Sequence, residues 1–449
     1  MNSWRFKIKS TVAVLGATMC LATAAQAITL DGAVQAALQD NPDIQVVVKE
    51  KLADESRVRE TRANFFPRVD FETSFGRQYT EDSGTRANAV NTGDDNVTLS
   101  PSAASLSLRQ MVFDGFETFN LVDQSLATSQ AATYRLRAQA EQISLDVSQS
   151  YLEVIRQSRI AQLARGNVNT HIQYMNRVKE RSNTGVGASA DVAQAESRLG
   201  AAQNVLTEVL SNLRDAVASY GRLVGEDPDK LIRPKAPLAE LPASLQLAIE
   251  KSLANNPSIM AAERDLNSSF YQAEVTKSPF LPRFDVELDA RRSNDIEGVD
   301  GKDTDLRALL VMRYNLYNGG ADTARQRTAI FERSRSQSVL DRVRRLVEEE
   351  TKFAWHQMMA SRDQIDTSKS VVRSNVSVRN AYLEQFELGQ RSLLDLLDAE
   401  NELFVSRIDL IDARFDALFS SYRVLAATGE MLDTLQVTMP EHFMKLASQ

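Results

Sequence analysis

Cysteine is all but absent from this chain. Cys20 is the only one in 449 residues, and it sits in an N-terminal stretch that reads as a removable leader. Disulfides and thiolate metal sites are thereby excluded from the mature protein. Histidine is nearly as scarce: His171, His356 and His442 stand far apart, with no cysteine or carboxylate at ligand spacing. No G-x-S-x-G, P-loop or G-x-G-x-x-G motif occurs, and nothing in the chain reads as an enzyme. Glycine and proline number only 18 and 11, which favours long unbroken helices over an all-β or loop-rich chain. Long hydrophobic runs are missing as well. No mature stretch reaches about 18 consecutive apolar residues, so a transmembrane helix is not expected, and a β-barrel is the remaining way to cross a bilayer.

Basic charge is also in short supply, with 52 Lys and Arg against 60 Asp and Glu. The leader deepens this imbalance. Arg5, Lys7 and Lys9 form a basic n-region, residues 12–24 a small and apolar h-region, and Ala25-Gln26-Ala27 an A-x-A cleavage site. Cleavage removes three basic and no acidic residues, taking the formal charge from -8 to -11. Nucleic acid, which needs a basic footprint, is not an expected partner. Cys20 follows Met19, a poor lipobox, so the mature chain is expected to start near Ile28 without a lipid. Over the full 449 residues the hydrophobic fraction of 43% and charged fraction of 25% are those of a folded, water-facing protein.

What is present is a duplication. Asn41-Pro42 recurs as Asn256-Pro257, and Phe66-Pro67-Arg68-Val69-Asp70-Phe71 as Leu281-Pro282-Arg283-Phe284-Asp285-Val286. Phe113-Asp114-Gly115 recurs as Tyr317-Asn318-Gly319. The first repeat, 28–225, begins with helices that break at Asn-Pro, because the residue before proline disfavours helix. The period then switches to alternation: Val69, Phe71, Thr73 and Phe75 against Asp70, Glu72 and Ser74. Strands are expected at about 68–78 and 104–113, separated by a polar loop at 80–102. A long helix follows at 119–182 and a return helix at 188–224. A proline-rich connector, 226–244, leads to the second repeat, 245–429. Its strands are expected at about 283–292 and 306–317, its long helix at 321–387 and its return helix at 392–428. A C-terminal segment, 430–449, closes the chain.

Four such strands are the only β structure expected. One face is apolar and one charged, which suits a barrel wall with outer-membrane lipid outside and water inside. Four strands cannot close a barrel, and an open edge is forbidden in lipid, so several chains would share one. Each long helix spans roughly 100 Å at 1.5 Å per residue and needs lateral partners along its length. On the second, Arg342, Arg344 and Arg345 against Glu348, Glu349 and Glu350 read as i,i+4 pairing on an exposed face.

Between each long helix and its return helix lies a tight turn. The second reads GQRSLLDLLDAENEL from Gly389, and it puts Asp395 and Asp398 on one helix face. The first, with Gly185 and Gly187, places Asp191 and Glu196 where the second has Asp395 and Glu400.

Taken in this order, the duplicated Asn-Pro, the strand starts FFPRV and SPFLPRF, the aromatic-x-Gly strand exits and GQRSLLDLLDAENEL resemble the TolC family of outer-membrane channels over essentially the whole mature chain. The resemblance implies a mainly α fold with a small transmembrane β part. It implies a homotrimer whose twelve-stranded barrel, four strands per chain, stands on a long periplasmic α-helical barrel. The connector and C-terminal segment would form a belt around its middle. It further implies passive export, with an inner-membrane transporter and a periplasmic adaptor as partners and no cofactor. Asp395 and Asp398 match the acidic pair ringing the family's periplasmic entrance, while Arg391 and Asp191 match residues that hold neighbouring helices closed. Two departures stand out: Ala190 replaces a threonine partner and Phe386 a tyrosine. Gln390 and Glu387 are the candidates for replacing those links.

With the lipobox missing, the expected cargo route is type I secretion of an unfolded protein, driven by an ATP-binding-cassette transporter. Small-molecule efflux is the alternative within the family. A soluble periplasmic coiled-coil scaffold is the alternative outside it.

Overall fold

The computed structural model describes residues 28–92, 95–185 and 188–439. The expected leader, Gly187 and the tail from residue 440 lie outside the described residues. The first half begins with α1 (Leu30–Asp40) and α2 (Pro42–Arg62), followed by β1 (Arg68–Phe75). An excursion of β2 (Gln78–Thr80), α3 (Ser83–Thr92) and β3 (Val97–Leu99) precedes β4 (Ser102–Phe113). Next come α4 (Glu117–Asn183) and α5 (Ser189–Val224). The second half repeats the order with α6 (Leu245–Asn255), α7 (Pro257–Val275), β5 (Arg283–Asn294), β6 (Lys302–Arg313), α8 (Ala321–Glu387) and α9 (Leu393–Thr428), and ends in the short α10 (Met431–Thr434). Helices α4 and α8 are each 67 residues long, roughly 100 Å of continuous helix.

Strands β1, β4, β5 and β6 form one antiparallel sheet in the order β1-β4-β5-β6. The register aligns Phe71 with Leu106, Leu106 with Ala290, and Ala290 with Leu306, so one face is an apolar band. That band has no cover within the chain: Phe71 is 71% exposed and Leu306 76%. The opposite face is a charge ladder. Arg313 reaches Asp285 at 2.8 Å and Glu287 at 2.6 Å, while Arg109 meets Glu287 at 3.2 Å. Both outer strands, β1 and β6, end the sheet with unpaired edges. Among the described residues no helix is long and apolar enough to cross a membrane.

The sheet departs from expectation in four ways. The four long strands are not the only β structure, because β2 and β3 pair into a small hairpin and the polar loop between them folds into α3. The first strand stops at Phe75, and the chain resumes pairing only at Gln78. The last strand runs Lys302–Arg313 and not 306–317: its ladder with β5 extends to the pair Asn294–Lys302, and beyond Arg313 the side chain of Asn315 accepts from the Tyr317 amide and turns the chain. Likewise β5 continues to Asn294.

The duplicated Asn-Pro acts as a splice. Asn41 Oδ1 accepts from the Asp43 amide while its Nδ2 donates to the Leu223 carbonyl at 2.9 Å, near the end of α5. Asn256 does the same for Ser258 and for Ala427, near the end of α9. Each side chain thus starts one helix and satisfies a carbonyl at the end of another. The end of each return helix is thereby held against the short-helix pair, and the combined length runs beside α4 and α8. At the splice Gly429 is left-handed, with φ of 72°, and a Cβ there would meet the Asn255 carbonyl oxygen at 2.9 Å.

Around the splices lies the largest core cluster. Leu38, Ile44, Leu136, Ile143, Tyr151, Tyr220, Tyr422 and Leu425 all pack in it. The Tyr151 hydroxyl donates to the Ile232 carbonyl at 2.6 Å and so pins the connector to α4. The acidic–basic cluster on α8 is wired differently from expectation. Arg344 pairs with Glu263 of α7 and Glu350 with Arg423 of α9, so those charges hold helices together. Only Glu348 takes an i,i+4 partner, Lys352.

Candidate functional site

At the end far from the sheet, the α4–α5 and α8–α9 hairpins meet. Both turns depend on a left-handed glycine, Gly185 with φ of 77° and Gly389 with φ of 73°, a conformation costly for any side chain. After Gly389, Ser392 caps α9: its hydroxyl accepts from the Asp395 amide at 3.2 Å and donates to the Asp395 carboxylate at 2.8 Å. Asp395 therefore sits in the first turn of α9, where the helix dipole favours a negative charge. Behind the turn, Tyr174, Val178, Ala195, Leu393, Leu396 and Leu397 form an apolar cluster drawn from both hairpins. Leu396 and Leu397 face inward while Asp398 stays exposed, which the helical spacing requires.

Each acidic residue singled out from the sequence has a distinct place. Asp395 is half-buried, 3.7 Å from Arg391. Asp398 is tied to Arg198 of α5 at 2.6 Å. Arg391 turns back on its own hairpin, with its guanidinium 4.0 Å from the centroid of Tyr382 and its Nε donating to Gln385. Asp191 lies in the first turn of α5 and, among the described residues, forms no ion pair within the chain. Arg391 and Asp191, each expected to hold neighbouring helices closed, make no ion pair with each other within one chain. Gln390 contributes a backbone bond alone.

Three arginines that the sequence reading passed over make the links between hairpins. Arg177 of α4 meets Glu387 of α8 at 2.8 Å. Arg181 donates to the Phe386 carbonyl at 3.2 Å and lies over the Phe386 ring. Arg198 completes the set with Asp398. Phe386, where a tyrosine hydroxyl was missed, is therefore held through its ring and carbonyl. One signal was available: Arg177, Arg181 and Glu387 sit on helix positions flanking the two turns. No spacing rule, however, pairs residues about two hundred positions apart.

Deeper in the bundle, Glu400 is buried and accepts a hydrogen bond from Tyr174 Oη at 3.1 Å, with Arg379 at 3.7 Å. Burial, reinforced by the Glu400 charge, pushes the Tyr174 hydroxyl up to about 12. Burial also holds His171 below its usual range, against the pull of Glu400. Among the described residues no cluster of potential metal ligands occurs.

An open four-stranded sheet with one apolar face, continued by two helical hairpins of this length, defines an outer-membrane channel. The family described as outer membrane efflux protein matches residues 33–226 and 248–430, and the chain belongs to that family. The resemblance to the TolC family therefore holds. Among curated relatives, the outer membrane efflux protein BepC of Brucella suis is 28% identical over 345 residues, 75% of each chain. The alkaline protease secretion protein AprF of Pseudomonas aeruginosa is 24% identical over 402 residues, 88% of this chain and 82% of its own. The solved structure of CusC superposes with a TM-score of 0.78 at 17% identity, covering 89% of this chain and 91% of that one. The protein is thus an outer-membrane efflux channel with a periplasmic helical extension, and the soluble-scaffold alternative falls.

Proposed function

We propose that this channel is the exit duct of a tripartite export machine for type I secretion, passing an unfolded polypeptide from an inner-membrane ATP-binding-cassette transporter through a periplasmic adaptor. The observation that carries the channel itself is the sheet: an apolar band with two unpaired edges is stable in lipid only when further chains close it. A homotrimer closing a twelve-stranded barrel satisfies both edges and covers the exposed side of α8. The secretion route is supported by the likeness to a protein named for alkaline protease secretion, which spans 88% of this chain. Small-molecule efflux remains the second reading, favoured by the 28% identity to an efflux protein. Deleting the gene separates them. Lost secretion of a specific protein with unchanged drug sensitivity is expected; intact secretion with marked hypersensitivity would establish efflux instead.

In this reading the helix tips form a periplasmic gate. Asp395 and Asp398, repeated around a trimer, give an acidic entrance that repels anions and attracts cations. Arg391 keeps Asp395 in place, Asp191 offers its carboxylate to a neighbouring chain, and the glycine turns at Gly185 and Gly389 set the tip geometry. The links through Arg177, Arg181 and Arg198 hold the two hairpins of one chain together, so opening requires them to part.

A further inference from the structure

Between α4 and α9, on the tip side of the connector, runs an open cleft of about 650 Å³. Its walls carry four arginines: Arg159 on α4, Arg407 and Arg414 on α9, and Arg233 on the connector. Among the described residues none of the four has a carboxylate at ion-pairing distance. They stand unpaired in a chain with an acidic excess, 60 Asp and Glu against 52 Lys and Arg, whereas Arg135, Arg156, Arg198, Arg344 and Arg423 each meet a carboxylate on another helix. The single carboxylate lining the cleft, Glu400, is already engaged by Tyr174 and Arg379. Burial and the like charges of Arg414 and Arg159 depress the affinity of the Arg233 guanidinium for its proton, which places three positive groups within electrostatic reach of one another.

Two further features mark a site. Asn167 lines the same cleft, is more than nine-tenths buried, and has a side-chain oxygen with no hydrogen-bond partner. A buried amide left in this way is costly unless something binds it. Phe404 and Phe415 supply an apolar wall, and the Arg233 guanidinium lies 5.3 Å from the Phe415 ring centroid, so one arginine is held in place without an anion. The volume falls within the usual range for small-ligand pockets, and an apolar wall with a few convergent polar groups is their common composition. The cleft lies between two helices of the same chain, with the connector at one side.

We propose that this cleft binds a small, multiply charged anion bearing phosphate or carboxylate groups. Arg159, Arg233 and Arg414 grip its charged end and Arg407 its flank, by the forked hydrogen bonds that guanidinium groups make to such oxyanions. Protonated or hydroxylated parts of the ligand donate to Asn167 Oδ1. Occupancy would neutralise the mutual repulsion of the arginines and bridge α4 to α9, the two helices whose far ends carry the hairpin links.

Isothermal titration of detergent-purified, full-length protein with pyrophosphate and with citrate tests the site. Saturable binding that weakens with added salt is expected. Arg159→Gln with Arg414→Gln should lower affinity by about tenfold or more, and Arg407→Lys, which keeps the charge but loses the fork, by a smaller factor. Arg214→Gln on α5, outside the cleft, should leave it unchanged. No saturable binding, equal losses in the Arg214 variant, or tighter binding of an oligo-aspartate peptide than of either small anion would overturn the proposal.

Discussion

The Arg198 guanidinium donates to the Asp398 carboxylate across 2.6 Å, joining α5 of one hairpin to α9 of the other. Both side chains are partly exposed, so the pair alone is worth little, on the order of 1 kcal/mol at most. Its position gives it leverage: with Arg177–Glu387 and Arg181–Phe386 it forms one of three arginine links near the tips that must part for the hairpins to separate there.

Removing these links should open the channel in steps. Arg198→Ala is expected to raise open probability by up to about fivefold, the factor that 1 kcal/mol gives. Adding Arg177→Ala should raise it further. Single-channel recording in planar bilayers reads this directly, and unchanged gating in the double variant would remove the three links from the mechanism.

The splice glycines make different demands. Gly225 and Gly429 both have positive φ, but only at Gly429 would a Cβ strike backbone, the Asn255 carbonyl oxygen at 2.9 Å. Gly225→Ala should cost about 1–2 kcal/mol of conformational strain, and Gly429→Ala distinctly more. Thermal melting of the helical signal should rank Gly429→Ala below Gly225→Ala and both below the parent. The reverse order would mean that the splice does not constrain α9.

Burial drives Glu141 up to about 7, partly offset by Arg137 and by bonds from the Leu432 and Met431 amides. Its folded affinity for a proton exceeds the unfolded one, so the folded state holds more protons between about pH 4.5 and 7. Stability is therefore expected to fall as pH rises through that window and to level off above it, by up to about 3 kcal/mol. Glu141→Gln keeps an acceptor for the Met431 amide and removes the charge. It should flatten the melting temperature against pH; an unaltered profile would assign the dependence to other groups.

The two faces of the sheet should respond oppositely to charge. Phe71→Arg puts a cation on the apolar face and should cost about 2–4 kcal/mol near the bilayer midplane, seen as a reduced fraction of heat-stable assembled protein. Glu72→Arg, on the opposite face of β1, should assemble normally. Equal assembly of both would contradict the assignment of the apolar face to lipid.

Much of this fold was legible because it obeys short-range rules. Val69, Phe71 and Phe75 announce a strand by alternation, Pro67 and Pro282 mark where helix stops, and Gly115 and Gly319 mark where it starts again. Duplication then supplied each assignment twice. What escaped depends on distance in space. Asn41 reads locally as a helix break, yet its amide also clamps Leu223, which no periodicity reveals. The end of β6 was misplaced because Tyr314 and Leu316 prolong the alternation after Arg313, where the side-chain bond of Asn315 turns the chain. At the tip, Asp395 and Asp398 were readable as neighbours on one face, whereas their partners Arg391 and Arg198 were not: the first needs the turn geometry and the second the packing of two hairpins.

The most direct test is conductance of the detergent-purified protein in a planar bilayer, with its mass in solution measured first. A trimer forming discrete cation-selective channels is expected, closed down by divalent ions, with selectivity and block both weakened in Asp395→Ala with Asp398→Ala. A species that never inserts, or channels whose selectivity and divalent block are unchanged in that variant, would contradict the acidic periplasmic gate.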